Sequence, residues 1–285
     1  MSTKRIIFVC SQKGGAGKTT FARALLELLR WEGYRVAAYD TDGAAVGQLL
    51  QHEGSRDEHG RLLHQQDPFK GCGYFNIRED DDRDLLLNAL SLDPPILLFD
   101  LPGGVLGELG KVVDEGDYPR GLFAEYRDAG YDITIVIVMT LVMASVRTIQ
   151  DSLDAFGDSV DYVAVKNQIY AGEEGFIFFD GCEQEDLVLP PSQSKQALLD
   201  HNGVIITMPP LNPRSYALLD RHSLGYLEAL QGDRLPKADR ARIRQWLKRF
   251  DEQIEPARHV LGFSERERPA IPSEPNLPAV DDAAA

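Results

Sequence analysis

The sequence predicts an α/β fold, a mostly parallel twisted sheet flanked by helices, on three observations. Short apolar runs rich in branched residues alternate with helical patterns along the chain. A glycine-rich string, Lys13 to Thr20, lies between the first apolar run and the first helical pattern. Two later runs each end in an acid, Asp40 and Asp100, as strands do when their carboxyl ends face a ligand crevice.

Strands are expected near Ile6 to Ser11, Val36 to Asp40, Ile96 to Leu101, Ile133 to Thr140, Tyr162 to Asn167 and Val204 to Met208. Between the first two, Phe21, Leu25, Leu26 and Leu29 fall at helical spacing over Lys18 to Trp31, and Gly33 ends that helix. Residues 52–72 are polar and show neither period, which predicts a surface excursion; Gly73 to Arg78 then adds an edge strand. The acids from Glu79 to Asp84 read as a solvated turn and helix start leading into Leu85 to Leu90, where the helix dipole favours negative charge.

With 285 residues, 43% of them hydrophobic, the chain has material for one large core. A single domain is expected over 1–257, ending in a basic helix at about 236–257. Beyond it, 258–285 reads as a disordered acidic tail with Pro269, Pro272, Pro275 and Pro278 at every third position. The longest apolar run, Ile133 to Ala144, falls short of the roughly 20 residues that span a bilayer, so membrane binding is not expected. The start of the chain lacks an export pattern, and Cys10, Cys72 and Cys182 form no CxxC pair. These features predict a cytoplasmic protein without disulfides.

Net charge is −15, which argues against nucleic-acid binding by bulk electrostatics. The segment Arg234 to Arg249 is the exception: seven basic residues stand against one acid. Over Ala238 to Ile254 the apolar residues Ile243, Trp246, Leu247, Phe250 and Ile254 form one helical stripe, and Arg240, Arg244 and Lys248 align at four-residue spacing. Two readings stay open for that stripe of cations, a solvated face and a phosphate-contacting face for nonspecific DNA.

The string Gly14-Gly15-Ala16-Gly17-Lys18-Thr19-Thr20 has the composition of a phosphate-binding loop. Glycines admit backbone angles that let successive amides converge on phosphate oxygens, and the following helix contributes its positive end. Lys18 is the candidate for the β- and γ-phosphates and Thr19 for a magnesium ligand. Asp100 closes an apolar strand and precedes Leu101-Pro102-Gly103-Gly104, the pattern of a metal-holding acid followed by a flexible loop whose Gly103 or Gly104 amide approaches the γ-phosphate.

With Lys13 at its head, this octet resembles the deviant Walker A loop, KGGxGKTT, of the ParA and MinD ATPases, and the resemblance extends over roughly residues 4 to 230. It implies the doubly wound P-loop fold, and it implies that Lys13 reaches across a homodimer to the partner's nucleotide. Asp40-Thr41-Asp42 stands where the family has its DxD switch I, so the resemblance assigns Asp42 to orienting the attacking water and Asp40 to supporting Mg2+. It likewise implies that Asn167 reads the adenine and that the turn at Pro209 packs on the base. Gly43-Ala44 replaces the Pro-Gln that follows the DxD in partition ATPases, which leaves the branch open, and the chain lacks a MinD-type terminal amphipathic helix.

Those implications favour an ATP-gated switch that positions or segregates DNA or a protein cargo, slow on its own and stimulated by an adaptor or activator. A biosynthetic ligase or carboxylase on the same fold, resembling dethiobiotin synthetase, is the competing class. Iron–sulfur carriers of similar architecture are disfavoured by the missing cysteine pairs.

Overall fold

The computed structural model describes residues 4–11, 13–43, 47–112, 120–169, 172–264 and 268–272. The strands are β1 (Lys4–Cys10), β2 (Val36–Asp40), β3 (Gly73–Tyr74), β4 (Ile96–Asp100), β5 (Tyr131–Met139), β6 (Asp161–Asn167), β7 (Cys182–Gln184), β8 (Leu187–Leu189) and β9 (Val204–Met208). The α-helices are α1 (Lys18–Trp31), α2 (Gln48–Glu53), α3 (Asp80–Arg83), α4 (Leu85–Asn88), α5 (Arg120–Asp128), α6 (Met143–Phe156), α7 (Ile177–Asp180), α8 (Gln193–Asp200), α9 (Pro213–His222), α10 (Tyr226–Leu230) and α11 (Lys237–Ile254).

Seven strands form one parallel sheet in the order β3-β2-β4-β1-β5-β6-β9. Both faces of the sheet are covered, which is why its strands are nearly continuously apolar. Alternation along β1 separates two core layers: Ile7 and Val9 pack with α1 and α11, while Ile6, Phe8 and Cys10 face Phe123 and Tyr126 of α5. Phe8 stacks on Phe99 of β4 with ring centroids 5.2 Å apart.

Strand order reverses at β1, so β1 lies between the strands that carry the acids and those that carry Asn167 and Pro209. Every loop carrying a motif leaves the carboxyl edge of this sheet, and the crevice there is the binding position of open α/β sheets.

Two expectations are corrected. The edge strand expected over Gly73 to Arg78 pairs as sheet only at Gly73–Tyr74, after which the chain turns and bridges Asn76 antiparallel to Asp42. The segment expected to open a disordered tail at 258 is packed where it is described. Val260, Leu261, Phe263 and Ile271 are buried, Arg258 is bonded to Glu32 at 2.6 Å and Asp251 at 2.7 Å, and the Trp31 indole donates to the Pro269 carbonyl at 3.3 Å. Proline spacing hid these few apolar anchors. Pro275, Pro278 and the remainder of 273–285 lie outside the described residues.

The expected excursion is pinned rather than loose: Arg30 donates to the carbonyls of Pro68 at 2.8 Å and Gly71 at 2.7 Å. The short β7–β8 hairpin went unforeseen, because Glu183, Gln184, Glu185 and Asp186 mask any apolar alternation.

Candidate nucleotide site

The loop between β1 and α1 is shaped by its glycines. Gly15 and Gly17 have φ of 77° and 94°, in the left-handed region that other residues enter only with strain. A Cβ on Gly17 would also stand 2.3 Å from the Asn167 amide nitrogen. That amide donates to the Ala16 carbonyl at 2.8 Å, and its oxygen accepts from the Ile169 amide at 3.1 Å. Asn167, expected to read the base, is thus committed largely to clamping the phosphate loop onto β6, and it still lines the cleft.

The two lysines occupy opposite settings. Lys18, on the first turn of α1, is buried, whereas Lys13 is exposed at the rim, its carbonyl held by the Ser11 hydroxyl at 2.8 Å. Gly15, Gly17, Lys18, Thr19 and Thr20 line a cleft of ≈ 320 Å³ that Asn167, Met208 and Pro209 also line. The Pro209 carbonyl is fixed by the Trp246 indole of α11 at 2.7 Å. Arg23, Gln48, Ile169, Leu211 and Tyr216 also line this cleft. Sequence reasoning missed them; only Arg23 carried a signal, its place one turn beyond Thr19 on α1.

The acids divide between two tasks. Thr19 donates its hydroxyl to Asp100 Oδ2 at 2.6 Å, and Asp100 Oδ1 is buried with no hydrogen-bond partner among the described residues. Burial, reinforced by the negative charge of Asp40, pushes the Asp100 carboxyl up to about 7, against the opposing pull of Thr19 and Lys18. An orphaned carboxylate oxygen beside a hydroxyl fits magnesium, which binds through one or two protein oxygens and completes its shell with phosphate and water. No cluster of three His, Cys, Asp or Glu side chains able to hold a metal occurs among the described residues.

Asp40, which the resemblance assigned to supporting Mg2+, is held by backbone amides. Its Oδ1 accepts from the Asp42 amide at 3.1 Å and its Oδ2 from the Leu50 amide at 3.0 Å, so it caps the start of α2 while Thr19 pairs with Asp100. Burial raises its carboxyl above the ordinary range. A Cβ on Gly47 would fall 2.1 Å from the same carboxylate, so glycine leaves it room at an ordinary φ. Asp42 lies at the surface, 53% exposed and 3.4 Å from Arg78. The Gly104 amide bonds to the Ser11 carbonyl at 3.0 Å, drawing the loop after β4 against the phosphate loop.

Residues 7–264 match the family model described as the CobQ/CobB/MinD/ParA nucleotide binding domain. The chain belongs to that family. Among solved structures, a ParA family ATPase from Chlorobium tepidum TLS is 13% identical, covers 87% of this chain and 99% of its own, and superposes with a TM-score of 0.51. MinD complexed with Mg-ADP from Pyrococcus horikoshii OT3 is 14% identical over 89% of this chain and 97% of its own, with a TM-score of 0.46. No curated protein sequence matches the chain. At such identities the likeness speaks to the fold, and the ParA structure supports the doubly wound P-loop architecture.

Within this member of the CobQ/CobB/MinD/ParA family, α11 docks as its apolar stripe predicts: Ile243, Trp246, Leu247, Phe250 and Ile254 are buried. Of the three aligned cations, Arg240 donates to the Gly232 carbonyl and Arg244 to the Pro272 carbonyl, the latter at 2.7 Å, while Lys248 is exposed. No helix among the described residues is long and apolar enough to cross a membrane.

Proposed function

We propose that this chain is a cytoplasmic ATPase that closes into a homodimer around ATP and couples hydrolysis to positioning or segregating DNA or a protein cargo. The contrast between its two loop lysines carries the reading. Lys18 is buried at the cleft floor, where a cation serves the bound nucleotide of its own chain. Lys13 is exposed on the rim, where its charge is available to a nucleotide in a second copy. Magnesium, when bound at Thr19 and Asp100, would neutralise charge on the phosphates. The chain's own contribution is positional: loop amides and Lys18 orient the phosphates, Gly103 and Gly104 bring backbone to the terminal phosphate, and Asp42 aligns water. An exposed Asp42 engaged with Arg78 implies slow turnover until a partner or adaptor fixes it.

Lys18→Ala should abolish binding of a fluorescent ATP analogue, whereas Lys13→Ala should bind it with parental affinity and fail to dimerise with ATP and magnesium in light scattering. Equal loss of affinity in both variants would count against the role of Lys13 in trans. A monomeric parent whose turnover ignores Lys13→Ala would favour the ligase class.

The DNA arm of the proposal rests on the cations of α11, doubled by dimerisation. Binding of nonspecific duplex in the ATP state should weaken with a log–log salt slope of about −0.9 per phosphate contact. Replacing Arg240, Arg244 and Lys248 together with glutamate should erase it at unchanged ATP turnover. Absence of a DNA shift by the parent at low salt would leave α11 as a protein-docking surface.

A further inference from the structure

Arg78 stands between the two loops that the proposed hydrolysis depends on. Its Nη1 is 3.4 Å from Asp42 Oδ1, and its Nη2 is 3.5 Å from the Gly103 carbonyl. The guanidinium therefore faces the switch I acid and the backbone of the Gly103–Gly104 loop after β4, here called switch II, at once.

The base from which it projects is fixed on both sides. The Arg78 amide donates to Asn76 Oδ1 at 3.2 Å, and the Arg78 carbonyl accepts from Arg83 Nη2 at 3.2 Å. Arg83 is buried, bonds the Ile77 carbonyl at 2.9 Å, and pairs with Glu108 just beyond switch II at 3.2 Å. The same segment is laced to the end of β2, with Phe75 and Ile77 donating to the carbonyls of Asp40 and Thr41 at 3.0 and 3.1 Å. A rigid base carrying a mobile fork suits a planar guanidinium, whose donors can serve a carboxylate and a carbonyl together.

We propose that Arg78 is a positioning residue for ATP hydrolysis: it ties Asp42 to switch II so that the carboxylate holds one orientation when the loops close on nucleotide. This inference rests on the hydrolysis reading above. The long contacts fit a constellation that tightens when its ligand arrives, as catalytic hydrogen bonds commonly do.

The test compares parent, Arg78→Ala, Arg78→Lys, Asp42→Ala and the Arg78→Ala/Asp42→Ala double variant in steady-state ATP hydrolysis with magnesium. Arg78→Ala should lower kcat about tenfold while KM stays within about twofold, the signature of an interaction made in the transition state. Lysine, with one ammonium in place of the fork, should restore part of the loss. The double variant should be no slower than Asp42→Ala alone, because Arg78 acts through that carboxylate. Parental kcat in Arg78→Ala, or losses that simply multiply in the double variant, would overturn the proposal and leave the hydrolysis reading standing. Absence of turnover by the parent would overturn both.

Discussion

On the base flank of the phosphate loop, Asn167 is buried and its amide meets backbone at 2.8 and 3.1 Å; on the switch flank, Asp42 and Arg78 meet at 3.4 Å with 53% and 45% of their side chains exposed. The first set of contacts lies in a low-dielectric interior, where an unmade hydrogen bond is expensive. The second is a surface ion pair, worth about 0–1 kcal/mol and easily exchanged for another partner. Under the proposed function, the site is thus held rigidly beside the base and loosely at the acid assigned to hydrolysis.

Matched alanine substitutions on the two flanks probe that difference. Gly17→Ala should have the larger effect, since it combines φ of 94° with a Cβ 2.3 Å from Asn167. The left-handed conformation alone costs about 1–2 kcal/mol, and nucleotide affinity should fall at least about tenfold. Gly47→Ala has an ordinary φ of −65° and collides only with the Asp40 carboxylate, which can turn aside at the cost of its bonds to α2. It should keep affinity within about threefold while slowing turnover. Titration with a fluorescent ATP analogue reads both, and equal losses of affinity would erase the distinction between the flanks.

The smallest effect is a pH dependence centred on the shared floor. Because burial lifts the Asp100 carboxyl to about 7, the folded chain keeps a proton that the unfolded chain loses near the ordinary value of 3.8. Stability contributed by that proton declines as pH rises through this interval. Without nucleotide, the melting temperature should drop between about pH 5 and pH 7. Asp100→Asn should flatten part of the slope and no more, since burial also raises Glu27, Glu53 and Asp40. An unchanged slope in Asp100→Asn would remove Asp100 from this behaviour.

Most of the sheet and the floor of the site were legible in the sequence, because both depend on local signals. β2 and β9 have the expected limits, and Gly15, Gly17, Lys18, Thr19 and Asp100 converge as their motifs imply. What escaped depends on distant partners. Asp40 caps a helix that begins eight positions later, Trp246 fixes Pro209 from α11, and Arg78 meets Asp42 from 36 residues away. Periodicity reports which face of an element is buried, not which side chain it meets. The tail failed for a related reason: Val260, Leu261, Phe263 and Ile271 are too few to make a period, yet each finds an apolar neighbour on the finished domain.

The packing of residues 258–263 also bears on how the chain matures during translation. Arg258 bonds Glu32 across 226 positions, and Phe250 meets Phe21 of α1 with ring centroids 5.4 Å apart. β1, made first, sits at the middle of the sheet and gains both neighbours only when β4 and β5 have been synthesised. α1 therefore lacks the cover of α11 until most of the domain has been made. Contacts so distant in sequence slow closure and lengthen the time during which apolar surface stays exposed.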